Sequence, residues 1–142
     1  MNPTAQASRS QVKVRNFHLD FFQHVNNTRY LEFLEEARWA FFEGFEQVWY
    51  AHLGRDAAFV VVNINIDYLY PATIGDVLNI DTRILKLGGS SAVFEQMVSL
   101  AGKETPVAKA QVTLVLMDAR TQKAVPIPNA IREVLSTMTS GE

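Results

Sequence analysis

The run His18-Leu19-Asp20-Phe21-Phe22-Gln23-His24-Val25-Asn26-Asn27 holds the groups that acyl chemistry needs. Asp20 supplies a carboxylate, which can act as a general base or a nucleophile. A helix opens at about Asn26 to Thr28, because cap-favouring residues stand there before a run with helical periodicity. A helix start carries unpaired backbone N–H groups and the positive end of the helix dipole, which suit an oxyanion. Loop aspartates also commonly satisfy backbone donors before a helix, so Asp20 has two roles open to it. His24 could orient a water or a side chain, since histidine does acid–base work near neutral pH. Packing at the turn is the simpler role for His24, and more so for His18. An Asp/His pair without a Ser or Cys nucleophile is not a triad.

The elements that must position these groups follow from periodicity. Residues 1–10 read as a loose tail, with one domain over 11–142. Gln11 to Phe17 alternates as a first strand. Thr28 to about Gly44 reads as a helix whose apolar face is Tyr30, Phe33, Leu34, Ala37 and Phe41. Phe45 to Leu53 reads as a second short helix, ended by Gly54. From Phe59 to Tyr68 runs a long strand, apolar on both faces at first and alternating after. Pro71, Gly75 and Asp76 mark a turn. Strands follow over Val77–Leu87, Ala92–Leu100 and Val107–Met117, with a tight hairpin at Gly88-Gly89. A last helix of about ten residues starts at Asn129, after Pro126 and Pro128. The order predicts an α+β fold, in which a strand, a long helix and then antiparallel strands in hairpin succession make one sheet with a helix on one face. One helix cannot cover five strands, and the apolar strand from Phe59 needs a partner, so self-association is expected.

Composition excludes several classes. Thirteen basic and fifteen acidic residues are interspersed, for a net charge of −2. No basic patch points to nucleic acid as a partner. Without cysteine there is no thiol nucleophile, disulfide framework or thiolate metal site. No cluster of His, Asp and Glu at ligand spacing indicates a metal, and no Gly-rich phosphate loop or dinucleotide fingerprint indicates a cofactor. Nor does any stretch reach bilayer length, and Met1 to Ser10 lacks the apolar core of a secretory signal, so a cytoplasmic protein is expected.

Further polar residues need a place. Asn63 and Asn65 interrupt an apolar strand on a single face, and buried amides need partners. They could bond each other across an interface or position a substrate water. Glu35 and Arg38 stand three apart on the helix and could pair.

The order of elements, with these motifs, resembles the hotdog-fold thioesterases of the 4-hydroxybenzoyl-CoA thioesterase type. Four motifs carry the resemblance: His18-Leu19-Asp20 with His24-Val25-Asn26-Asn27; Tyr30 to Arg38; Val60-Val61-Val62-Asn63-Ile64-Asn65-Ile66; and Tyr68 with Pro71-Ala72 and Gly75-Asp76. The first two and the Val-Asn-Ile-Asn-Ile strand look especially like the long-chain acyl-CoA thioesterases of enteric bacteria. The resemblance implies a five-stranded antiparallel sheet wrapped around a long central helix, and a homo-oligomer, dimer or tetramer, with its active site between subunits. It implies hydrolysis of acyl-CoA thioesters with no cofactor. Asp20 matches the family's catalytic aspartate, and the backbone N–H that polarises the thioester carbonyl falls at Asn27. Gly89, Ser90 and Ser91 fall near the family's pantetheine and phosphate groove. Where the family commonly has a small residue, often glycine, this chain has Gln23.

The expected function is therefore hydrolysis of acyl-CoA, with long acyl chains preferred. Water attacks with Asp20 as general base, or Asp20 attacks and a mixed anhydride is hydrolysed; the residues leave both routes open. Phe21, Phe22, Phe33, Phe41 and Phe42 are candidates to line the acyl chain. The rival readings are a hotdog hydratase or dehydratase, and a non-catalytic acyl-CoA-binding module.

Overall fold

The computed structural model describes residues 8–137. Five strands form one antiparallel sheet: β1 (Ser8–Lys13), β2 (Ala57–Tyr68), β3 (Val77–Leu87), β4 (Ser91–Leu100) and β5 (Pro106–Asp118). Helix α1 (Asn27–Glu43) precedes α2 (Glu46–Leu53), and α3 (Asn129–Ser136) closes the described chain. The first strand begins and ends earlier than its alternation indicates: it stops at Lys13, and Asn16–His18 forms a short 3-10 helix. Ser8, Arg9 and Ser10, read as tail, pair with Thr82, Asp81 and Ile80 of β3, and Arg9 clamps Asp81 with two bonds of 2.7 and 2.9 Å. Residues 1–7 and 138–142, at the ends of the expected tail and domain, lie outside the described residues.

The sheet order is β1-β3-β4-β5-β2, which departs from simple hairpin succession. The β3–β4 and β4–β5 connections are hairpins, but β2 pairs with β5 rather than with β3. The segment after Tyr68 does not turn back on β2. Leu69 N and Tyr70 N bond Val107 O, Ala72 O accepts from Val25 N, and Gly75 N bonds Val14 O. These bonds carry the chain across one end of the sheet. The crossing covers three strand spacings of about 4.8 Å, well within the reach of the connecting residues.

Helix α1 lies along the inner face of this sheet. Its buried residues are Tyr30, Phe33, Leu34, Ala37, Arg38 and Phe41, which is the apolar stripe read from the sequence plus one arginine. The core faces them with Ile80, Ile84, Phe94, Val98, Ala110, Val112 and Leu114. A bulge in β2 between Val61 and Asn63 resets the alternation. Before it Phe59 and Val61 pair with the buried residues Leu116 and Leu114, and after it Ile64 and Ile66 pair with the buried Val112 and Ala110. The apparent two-faced apolar run from Phe59 is therefore a change of phase. Val60, Val61 and Val62 are still 43%, 39% and 51% exposed, on an edge strand with no partner on its far side among the described residues. This is the hotdog arrangement, a five-stranded antiparallel sheet packed on a long helix. Among the described residues no helix is long and apolar enough to cross a membrane.

Candidate active site

Asp20 sits at the base of a tight reverse turn. Leu19 and Val25 form a β-bridge, Asp20 N bonds His24 O at 2.8 Å, and Gln23 N bonds Asp20 O at 3.0 Å. The turn requires a left-handed residue, and Gln23 supplies it at φ 68°. That conformation is the physical reason for a glycine at this position. One carboxylate oxygen of Asp20, Oδ1, accepts from Phe22 N at 2.9 Å and His24 N at 3.2 Å. These bonds aim and hold the side chain. The second oxygen has no hydrogen-bond partner among the described residues. Asp20 thus satisfies backbone donors and keeps a free oxygen.

The turn is tied to the helix start and to the sheet. Asn26 N bonds His18 O at 2.9 Å and Val25 N bonds Ala72 O at 2.9 Å. Asn26 alone is the N-cap: its side chain accepts from Thr28 N and Thr28 Oγ1, both at 3.0 Å. Asn27, read as a second possible cap, is the first helical residue. Its N–H belongs to the orphan donors of a helix start and finds no partner among the described residues. Its carbonyl accepts from Tyr68 Oη at 3.2 Å, which pins the helix start to the end of β2. Burial pushes the neighbouring Tyr30 phenol up to about 12, so it stays neutral while it packs on Tyr68 and Phe33.

His18 and His24 stand in different settings. His18 is buried, accepts from Arg15 N through Nδ1 at 2.8 Å, and packs edge-on against Phe17 and Phe33. Burial lowers its pKa, with the Arg29 charge adding to the effect, so it is neutral near pH 7. His24 is exposed and serves Asp20 through its backbone N–H and C=O. Its ring bonds to no described residue.

Other sequence candidates lie away from Asp20 within one chain. Asn63 and Asn65 pair with Thr113 and Gln111 on the outer face of the sheet, opposite α1. Asn65 Nδ2 bonds Asn63 Oδ1 at 3.1 Å, so the two amides bond each other, but within one strand. Gly89, Ser90 and Ser91 form the β3–β4 hairpin, at the far end of β3 from Asp20. That hairpin is clamped from α3, with Arg132 Nη2 donating to Gly88 O at 2.9 Å and Gly89 O at 3.0 Å. Among the aromatic candidates Phe33 and Phe41 belong to the core, whereas Phe21 and Phe22 project from the Asp20 turn at 91% and 73% exposure. Among the described residues no group of His, Asp and Glu stands close enough to hold a metal ion.

Two features were not read from the sequence. One is a cavity of about 250 Å³ between α1, α2 and β2, walled by Trp39, Phe42, Trp49, Phe59, Val61 and Leu114. The other is a buried polar bridge. Arg38 does not pair with Glu35 but donates to Gln96 Oε1 at 3.0 Å, and Gln96 Nε2 donates to Leu34 O at 2.9 Å and Thr82 Oγ1 at 3.0 Å. Helical spacing does show Arg38 on the same stripe as Leu34, but nothing local pairs it with a strand residue 58 positions away.

Known proteins share this frame. A family model described as the Thioesterase-like superfamily matches residues 14–135. The chain is 45% identical over 129 residues to the long-chain acyl-CoA thioesterase FadM of Escherichia coli (strain K12), covering 91% of this chain and 97% of that protein. Identity to the acyl-CoA thioester hydrolase YbgC of Escherichia coli O6:H1 is 31% over 107 residues, covering 75% of this chain and 79% of YbgC. The crystal structure of YbaW from Escherichia coli superposes with a TM-score of 0.81 at 45% identity, covering 93% of this chain and 98% of that one.

Proposed function

This chain belongs to the thioesterase-like superfamily, and from that premise we propose that it hydrolyses acyl-CoA thioesters with long fatty acyl chains. The observation that carries the reading is a pairing within one tied turn. Asp20 keeps one carboxylate oxygen free, and the Asn27 N–H, seven residues on, is also free at the positive end of α1. The thioester carbonyl oxygen takes the Asn27 N–H. Its carbon is attacked by a water that gives its proton to Asp20, or by Asp20 itself, whose anhydride then takes up water. Either route turns thioester and water into a carboxylic acid and free coenzyme A. Charge grows on the carbonyl oxygen in both, where a fixed N–H is worth several kcal/mol. The likeness to FadM over nearly its whole length supports long acyl chains.

The site is completed in this reading by a second copy. The open edge of β2, with Val60, Val61 and Val62 exposed, is a surface that a soluble chain covers. A homo-oligomer joined at β2 covers it and brings parts of the partner towards Asp20; light scattering at micromolar concentration reads dimer or tetramer directly. The activity is tested by thiol release over an acyl-CoA series from acetyl to palmitoyl. Release of coenzyme A that rises with chain length is expected. An absence of thiol release across the whole series, from folded protein, refutes the proposal.

A further inference from the structure

Helix α1 places Asn27, Leu31, Glu35, Arg38 and Phe42 on one stripe, since neighbours three and four apart share a face. The stripe starts at the residue whose free N–H the proposed reaction uses. It ends in the aromatic cavity, of which Glu35, Arg38 and Phe42 are wall residues. Strand β2 runs beside the stripe in the opposite direction. Tyr68 Oη bonds Asn27 O at one end, and Phe59 stacks on Phe42 at the other with ring centroids 6.2 Å apart. The seam between them is not sealed in one chain: Leu31 and Val61 are each 39% exposed.

We infer that this seam is an acyl-chain ruler, with the cavity of Trp39, Phe42, Trp49 and Phe59 receiving the far end of a long acyl chain whose carbonyl lies at Asn27. The inference rests on the thioesterase reading for the position of the carbonyl. From Asn27 to Phe42 the helix rises about 22 Å at about 1.5 Å per residue. An extended alkyl chain advances about 1.25 Å per bond, given a C–C length of about 1.52 Å and an angle of about 111°. A chain of about 18 to 19 carbons therefore spans the whole stripe, and one of about 16 ends beside Trp39. One of about 10 to 11 ends beside Glu35, and one of about 14 ends beside Arg38.

The polar stretch is what gives the ruler its scale. Arg38 is buried and held by Gln96, so a methyl end stopped there meets a fixed guanidinium. Past it, each further carbon enters a cavity lined mainly by aromatic and aliphatic side chains, with Glu43 and Glu46 also on its wall, and a methylene buried there is worth about fourfold in affinity. Discrimination thus falls between medium and long chains rather than evenly along the series.

Both tryptophans of the chain, Trp39 and Trp49, wall the cavity, so its occupancy can be read by intrinsic fluorescence without turnover. The probes are the non-hydrolysable thioethers S-hexadecyl-CoA and S-hexyl-CoA. S-hexadecyl-CoA is expected to shift or quench the emission saturably. S-hexyl-CoA, at concentrations where it inhibits thiol release, is expected to leave it unchanged. The variant Leu114→Trp fills the cavity from β5, away from the open edge of β2; it should lose at least tenfold in kcat/KM on palmitoyl-CoA and stay within about threefold on hexanoyl-CoA. Retained hexanoyl-CoA turnover shows that the variant is folded and its reacting end intact. An unchanged emission with saturating S-hexadecyl-CoA overturns the ruler, as does an equal loss on both substrates. If the wild-type chain released no thiol at all, the hydrolytic reading would fall, and the fluorescence result would still decide the cavity.

Discussion

The two ends of α1 are built on opposite plans. At its start, main-chain groups do most of the positioning: the Asp20 carboxylate is aimed by two N–H groups, the turn is closed by Gln23, and the candidate oxyanion donor is a backbone N–H. At its finish the positioning is by side chains. Phe41, Phe42, Phe45 and Trp49 pack on one another and on Phe59 and Phe94, with ring centroids 5.0 to 6.4 Å apart. Backbone geometry tolerates many side chains provided the turn holds, whereas a packed wall changes shape with each substitution. The reacting end should therefore be sensitive to few residues and the far end graded in its response to many.

The largest effect expected from this contrast is at Asp20. Asp20→Asn keeps an oxygen for Phe22 N and His24 N, so the turn survives, but it removes the base or nucleophile. Thiol release should fall by about a hundredfold or more, with the unfolding temperature little changed. A folded Asp20→Asn protein with near-normal turnover would falsify the assignment of the free oxygen to chemistry.

Midway along the helix the Arg38–Gln96 bridge joins the two plans, because it bonds a helix carbonyl as well as a side chain. Gln96→Leu strips the one hydrogen-bonded partner described for a buried guanidinium and removes the side-chain bonds to Leu34 O and Thr82 Oγ1. A loss of about 2–3 kcal/mol in urea unfolding is expected, as for hydrogen bonds to charged groups. The double variant Gln96→Leu with Arg38→Met should recover much of it, since an apolar pair leaves no buried charge unpaired. If the single and double variants unfold alike, Arg38 does not depend on Gln96.

The same contrast explains which parts were legible in the sequence. The turn at Asp20 and the helix start lie within a contiguous stretch, and turn and capping rules act over a few residues; the left-handed conformation of Gln23 was not read from the chain, because glutamine carries no signal for it. The apolar face of α1 and most strand limits were legible for the same reason, because periodicity is local. Most of what else was not legible depends on distant pairs. The crossing from β2 to β3 is decided by bonds from residues 69–75 to Val107, Val25 and Val14. The cavity is assembled from two helices and two strands, and Arg38 finds its partner 58 residues away. The bulge at Val62 is hidden too, because a phase change within an all-valine run leaves no mark in hydrophobicity.

A smaller effect separates capping from the candidate oxyanion hole. The cap is Asn26, so Asn26→Ala should lose about 1 kcal/mol of stability. Asn27→Ser keeps both the N–H and the fold, and should retain substantial turnover. A well-folded Asn27→Ser as inactive as Asp20→Asn would implicate the side chain, and the backbone account of the reacting end would have to be abandoned.

The smallest effect, and the closest test of a turn held by its backbone, is at Gln23. Its φ of 68° costs a side-chain-bearing residue roughly 1–2 kcal/mol relative to the right-handed conformation. Glycine removes that strain but returns about 0.4–1 kcal/mol through the freer unfolded chain. Gln23→Gly should therefore stabilise the protein by about 0 to 1.6 kcal/mol and leave thiol release unchanged. The bond from Thr73 Oγ1 to Gln23 O, at 3.0 Å, uses the main chain and survives the change. Gln23→Val should go the other way by more than about 1 kcal/mol, since a β-branched residue is a poor fit at positive φ. Its misaligned turn should also lower turnover by moving Asp20. If the valine variant were as stable and active as glycine, the turn would not demand a left-handed residue, and the aim of Asp20 would need another source.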